Sequence, residues 1–444
     1  MPYQYNKEDY TRRMAWYTQA RFGMFIHWGL YAIPARGEWV RSIERIPAEA
    51  YDPYMKEFNP QHCDMGAWMD AAKAAGMKYV VMTAKHHDGF CLYDSAYTDF
   101  KSTNAPAHRD FVREYLDAAR SRGLHAGLYF SLIDWRHPDY PHYGDANHPM
   151  RDDPAYANDN RNFNRYLEYL HNQVRELCSN YGKLDLLWFD FSYGEMRGEA
   201  WHATELINMV RSLQPDVIID NRLEVSGEGF GSLAACAPTP YHGDFVSPEQ
   251  IIPPNGIRDA QGSPLIWESC VTMNNHWGYC AEDNYYKPAP MLIKKLVECV
   301  SKGGNLLLNV GPDAQGRIPQ RSMQILKEIG QWMDRSGDSI YGCGPSGIAK
   351  PEYGRITRNG DTLYCHVYEN SIGPLPLCGL QKEQIASIRR LADGSEVPLS
   401  LTNWVHSDYP DVTFADLGPD PVLPDPIDTV LEVRLKPGTL PEWR

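Results

Sequence analysis

Short, almost unbroken apolar runs alternate with amphipathic stretches from residue 22 to about 336. The runs lie at 22–26, 79–83, 126–130, 184–189, 217–219, 265–267 and 305–309. Between them the spacing predicts helices over 63–75, 109–122, 161–178, 200–213, 289–301 and 320–335. In the third of these, Phe163, Leu167, Leu170, Val174 and Leu177 recur at intervals of three and four, which gives one apolar face. Strands that are apolar throughout are buried on both faces, as in a parallel sheet covered by helices. Seven of them predict an α/β fold, an imperfect (β/α) TIM-like barrel over residues 1–336. After a Gly-rich break at 337–345 the pattern changes. Short alternating runs at 362–368, 388–391, 412–414 and 430–435, punctuated by Gly and Pro, predict a small C-terminal antiparallel β-sandwich domain over 346–444.

Composition narrows the function classes. The 444 residues are 43% hydrophobic and 23% charged, ordinary for a globular chain. A net charge of −14 argues against nucleic acid or an anionic membrane surface as a partner. No apolar run approaches the ~18 residues of a membrane span. The first residues lack the apolar core of a secretion signal, so the expected location is cytoplasmic, or secreted if a leader once preceded them. Ten cysteines without a CxxC pair point to reduced, buried thiols rather than a zinc or redox motif. Aromatic residues reach 12%, with 12 Trp and 28 Tyr. Packing accounts for most of them, but stacking on sugar faces also draws on such residues.

In a parallel barrel the reactive groups gather just after the strand C-termini. Here those positions carry His27-Trp28-Gly29, Lys85 to Gly89, Tyr129 to Trp135, Asp190, Asn221-Arg222, Glu268 and Asn309. Adjacent His86 and His87 would point to opposite faces of a strand, so they suit hydrogen bonding better than a metal, and no HxH or HExxH occurs. No P-loop or GxSxG elbow is present. Chemistry by two carboxylates remains. Asp190, ending a rigid apolar run, is a candidate nucleophile, although a helix N-cap would use the same residue.

The segments ARFGMFIHWG, KHHDGF, LLWFDF, DNR, GDFVSPE, WESC with HWGY after it, and GGNLLLNVGPD occur in this order between residues 20 and 313. Together they resemble the α-L-fucosidases of glycoside hydrolase family 29. The resemblance implies that Asp190 is the catalytic nucleophile. Many relatives read WFDG where this chain has WFDF, so Phe191 is a departure beside that residue. His27, Glu38, Trp39, His86, His87, Tyr129, Trp188 and Arg222 match positions of the family's fucose pocket, and Trp277 offers a further flat apolar face. Glu249 matches the acid/base of the family's broadly acting branch, within a long patternless connection at about 223–263. Glu268 is the runner-up, followed by Glu224 and Glu228. The implied reaction is hydrolysis of terminal α-L-fucosides with retention, through a covalent fucosyl-enzyme and without metal or cofactor. Fucosylated oligosaccharides or glycoconjugates are the expected partners, and two other classes compete with this reading. One is a catalytically inactive, fucose-binding lectin-like barrel; the other is a metal-dependent barrel hydrolase. A homo-oligomer is compatible with all of these.

Overall fold

The computed structural model describes residues 3–157, 160–227, 229–377, 379–401 and 403–439. Its first element is a helix that the apolar pattern does not predict, α1 (Lys7–Ala20), started by Asn6, whose side chain accepts from the Asp9 amide. Strand β1 (Phe22–Ile26) follows, then two short helices, α2 (Val40–Ile43) and α3 (Ala48–Tyr51). The alternation then runs α4 (Met65–Ala74), β2 (Tyr79–Lys85), α5 (Phe111–Ser121), β3 (His125–Ser131), α6 (Phe163–Asn180), β4 (Leu186–Asp190), α7 (Ala203–Leu213) and β5 (Ile218–Ile219). It ends with β6 (Glu268–Thr272), α8 (Ala289–Ser301), β7 (Asn305–Val310) and α9 (Gln320–Ser336). All six expected long helices are present.

These seven strands form one parallel sheet in the order β5-β4-β3-β2-β1-β7-β6. Its two faces have separate cores, because successive side chains on a strand point to opposite sides. Met24, Ile26, Val80, Met82, Leu128, Phe130, Leu187, Phe189, Leu306 and Leu308 pack outward with the helices. Phe25, Tyr79, Val81, Tyr129, Leu186, Trp188, Ile218, Cys270 and Leu307 pack together on the inner face, joined by Met14, Tyr17 and Ala20 of α1. The N-terminal helix therefore covers the end of the inner core opposite the strand C-termini.

The sixth strand departs from expectation. The apolar run at 265–267 carries only an isolated bridge at Trp267, and the ladder begins one residue later. Periodicity misses it because its inward residues include a carboxylate, Glu268, whose burial is compensated by hydrogen bonds from Tyr79 and Trp188. Glu268 thus starts a strand rather than ending one.

Beyond α9 lie β8 (Gly344–Pro345), β9 (Gly354–Asn359), β10 (Thr362–Val367), β11 (Leu375–Leu377), β12 (Ile385–Arg390), a short helix α10 (Asn403–Asp408), β13 (Thr413–Ala415) and β14 (Thr429–Leu435). They form a five-stranded antiparallel sheet, β12-β14-β10-β9-β8, and a two-stranded one, β11-β13. The expected break at 337–345 already contains β8. Nine cysteines are described, all of them free, and Cys378 lies outside the described residues. No helix among the described residues is long and apolar enough to cross a membrane.

Candidate active site

Asp190 is the last residue of β4, and its carboxylate accepts three hydrogen bonds. Tyr129 Oη donates to Oδ2 at 2.7 Å, while Arg222 Nη1 at 2.9 Å and the Phe191 amide at 3.0 Å donate to Oδ1. The side chain is 9% exposed. Burial pushes its pKa above the usual carboxylate value, while Arg222 and the Tyr129 hydroxyl act against that rise. Arg222 lies on a turn just after β5, over the Trp188 ring at 4.4 Å.

The same guanidinium reaches a second carboxylate. Arg222 Nη2 stands 2.8 Å from Glu249 Oε2, so one cation touches both acidic groups. Glu249 belongs to an extended segment, 244–249, that spans the gap between β5 and β6. Bridges pair Asp220 with Phe245, Val246 with Trp267, and Glu249 with Cys270, all parallel. Asp244 anchors the segment's start. Its carboxylate accepts from Arg13 at 2.8 and 2.9 Å, from Arg211 at 3.1 and 3.2 Å, and from the Ile219 amide. Burial alone would raise its pKa, but Arg211 and Arg13 outweigh it and hold the group below its ordinary value. Asn221 Oδ1 then accepts from the amide and hydroxyl of Ser247, and Ser247 Oγ accepts from Arg222 Nε. The loop end carrying Glu249 is thereby tied to the residue that holds Asp190.

Both carboxylates line a cavity of about 580 Å³, together with His27, Trp39, His86, His87, Tyr129, Trp188, Arg222 and Trp277. The imidazoles are buried, which disfavours their charged forms. His27 is pushed down to about 3, and His86 and His87 well below their usual value. Neutral rings have distinct nitrogens. Asn309 Nδ2 donates to the Trp277 carbonyl, so its Oδ1 faces His27 Nδ1 at 2.7 Å and takes the proton there. Ser131 donates to the Ile133 carbonyl, so its oxygen accepts from His87 Nδ1 at 2.8 Å. In both rings Nε2 is left as an acceptor. His86 Nδ1 is buried without a partner. An orphaned N–H is rarer than an orphaned acceptor, which places the His86 proton on Nε2. The three imidazoles therefore offer two acceptors and one donor. No cluster of three metal-ligating side chains occurs among the described residues.

The remaining sequence candidates occupy other places. Glu38 is not among the residues lining this cavity; its Oε2 accepts from the Gly278 amide at 2.8 Å. With Asn309 on the preceding carbonyl, it clamps the peptide of Trp277 from both sides. Glu268 is fully buried among the inner-face residues, accepting from Trp188 Nε1 at 3.2 Å and from Tyr79 Oη, and burial pushes it up to about 7. It supports Trp188 from behind and has no place in the cavity lining. Glu224 accepts from Ser232, Thr239 and Gly243, which folds the loop on itself. Glu228 lies outside the described residues. Sequence reasoning missed Tyr193, Phe230 and Ile251, which also line the cavity; residues on connections without periodicity carry no pattern to find them by.

Phe191 sits at φ 80°, a left-handed conformation that strains any residue with a Cβ. Its ring contacts His87 at 4.5 Å, Trp39 at 5.3 Å and Tyr193 at 5.7 Å between centroids. Removing the ring has the same effect on packing whether Gly or Ala replaces it, but only Gly relieves the backbone. Phe191→Gly should therefore be more stable than Phe191→Ala by about 1 kcal/mol. Urea unfolding of the two variants checks this; equal midpoints would mean that the backbone relaxes out of the left-handed region.

A family model described as alpha-L-fucosidase matches residues 1–338. Human plasma alpha-L-fucosidase is 31% identical over 354 residues, which cover 75% of this chain and 70% of that protein. Among solved structures, alpha-L-fucosidase isoenzyme 1 from Paenibacillus thiaminolyticus is 56% identical with a TM-score of 0.93, covering 96% of this chain and 100% of that one. A family 29 alpha-L-fucosidase from Bacteroides thetaiotaomicron was solved as a trapped covalent intermediate with 2-fluoro-fucosyl fluoride, using a Glu-to-Gln mutant. It is 28% identical with a TM-score of 0.82, and the match covers 98% of each chain.

Proposed function

The chain belongs to the α-L-fucosidase family, and on that premise we propose that it removes terminal α-L-fucose from oligosaccharides or glycoconjugates by double displacement with retention. The observation that carries this reading is the bridge by Arg222 between Asp190 and Glu249 inside a cavity walled by imidazoles and indoles. Asp190 attacks the anomeric carbon and forms a fucosyl ester, as in the covalent intermediate trapped in the Bacteroides relative. Glu249 protonates the departing oxygen and then takes a proton from the incoming water. Its side chain is 42% exposed, which suits a group that must meet both leaving group and water.

Arg222 and Tyr129 hold the nucleophile's oxygens, so attack needs little reorganisation. His27 and His87 accept from sugar hydroxyls and His86 donates to one. Trp39 and Trp277 present flat faces to the ring and its methyl group. Glu38, outside the cavity lining, acts through Trp277, whose peptide it holds by way of the Gly278 amide. We read the sheet, bridged between β5 and β6 by 244–249, as an imperfect (β/α) barrel. The two antiparallel sheets share one core of Ile356, Leu363, Leu375, Leu377, Ala415 and Leu431, which supports a β-sandwich. Domains of 1–336 and 346–444 remain our division of the chain.

Proton NMR of 4-nitrophenyl α-L-fucoside during hydrolysis tests the function. The expected first product is α-fucose, which mutarotates afterwards. No turnover would leave a binding protein, and β-fucose as the first product would replace double displacement with direct inversion.

A further inference from the structure

The outer part of the cavity is not used by the chemistry above. Its lining includes Val225, Phe230, Pro248 and Ile251 of the connection between β5 and β6, and Tyr193 of the connection after β4. Phe230 is 46% exposed and Ile251 56%, although the Ile251 carbonyl is fixed by a hydrogen bond from the Ser269 hydroxyl. Single exposed apolar residues are common, but two facing one cavity beside a catalytic carboxylate form a patch that a ligand can cover. Charge gives a second constraint. The charged residues among those described as lining the cavity are Asp190, Arg222 and Glu249, and each is paired within that trio. No cation is therefore left over for an anionic group.

We propose that Phe230 and Ile251 form the binding surface for the leaving group, and that this surface selects an uncharged group with a flat or apolar face over an anionic one. The inference rests on the fucosidase reading, since it places the departing group on the Glu249 side of the cavity. Both an aromatic aglycone and the apolar face of a neutral hexose have the required chemistry. Phe191 links this wall to the inner pocket through its contacts with Tyr193 and His87.

The test separates the two parts of the cavity. Phe230→Ala and Ile251→Ala are exposed substitutions and should unfold at the wild-type temperature. Each should lower kcat/KM for 4-nitrophenyl α-L-fucoside about 5–10-fold, mostly through KM. A fucosyl-N-acetylglucosamine disaccharide, assayed in parallel, should show the same loss if a sugar face uses the surface. The inhibition constant of free fucose, which fills the inner pocket alone, should stay within about twofold of wild type. Wild-type enzyme should also prefer a neutral aryl fucoside to a carboxylate-bearing one of matched leaving-group acidity. Unchanged kcat/KM in both variants, an equal loss of fucose affinity, or no preference against the anionic aglycone would overturn the proposal. Absence of both turnover and fucose inhibition in the wild type would instead overturn the fucosidase reading itself.

Discussion

Asp190→Gly loses hydrolysis by a factor on the order of 10⁴–10⁶, the range seen when a nucleophile is removed, and keeps its fold. The fold survives because Arg222, relieved of one partner, still has Glu249 and the Ser247 oxygens around it. The missing carboxylate leaves space directly below the anomeric carbon. Azide fits that space and should restore turnover of 4-nitrophenyl α-L-fucoside. Because it attacks from the face that Asp190 used and nothing displaces it afterwards, the product is the inverted β-fucosyl azide. Product analysis by NMR decides the matter: near-wild-type activity in the variant, or an α-azide, would remove Asp190 from the role.

Glu249→Ala is expected to divide the reaction by leaving group. A nitrophenolate needs little protonation, so the first step proceeds and the fucosyl ester accumulates for want of a base. Both kcat and KM then fall. Natural sugars leave poorly and need the acid, and their hydrolysis should drop about 10²–10⁴-fold. Azide attacks the accumulated ester without a base and gives the retained, α-configured product. Glu268→Ala is the control. Its carboxylate accepts from Trp188 Nε1, and the Trp188 ring underlies Arg222. Loss of that support should lower activity equally for good and poor leaving groups, with no gain from azide. If leaving-group dependence and azide rescue follow Glu268 instead, the acid/base is not on the 244–249 segment.

Much of this protein could be read from its chain. The six long helices follow from apolar stripes, and six of the seven parallel strands from continuous apolar runs, because both are local consequences of burying one stripe or two faces. The residues that collect at the strand ends, including His27, His86, His87, Asp190 and Arg222, are legible for the same reason: a strand end is a fixed place in a parallel sheet. Two of the longer elements around the parallel sheet escaped. Helix α1 has charged residues along its length, and Arg13 is buried only because Asp244, 231 positions later, neutralises it. Strand β6 hides a buried Glu268 whose partners, Tyr79 and Trp188, come from two other strands.

The tertiary structure alone decided where the second carboxylate stands. Nothing periodic marks 223–263, and a motif match can place Glu249 near the site but cannot bring it to Arg222. That approach depends on Asp244 held by Arg13 and Arg211, on Ser247 held by Asn221, and on backbone bridges to β5 and β6. Each contact joins residues distant in sequence, and each is made by charge or hydrogen bonds rather than by a repeating apolar position. Local pattern records which face of an element is buried. It carries no trace of which polar group a loop will meet when the sheet brings the two together.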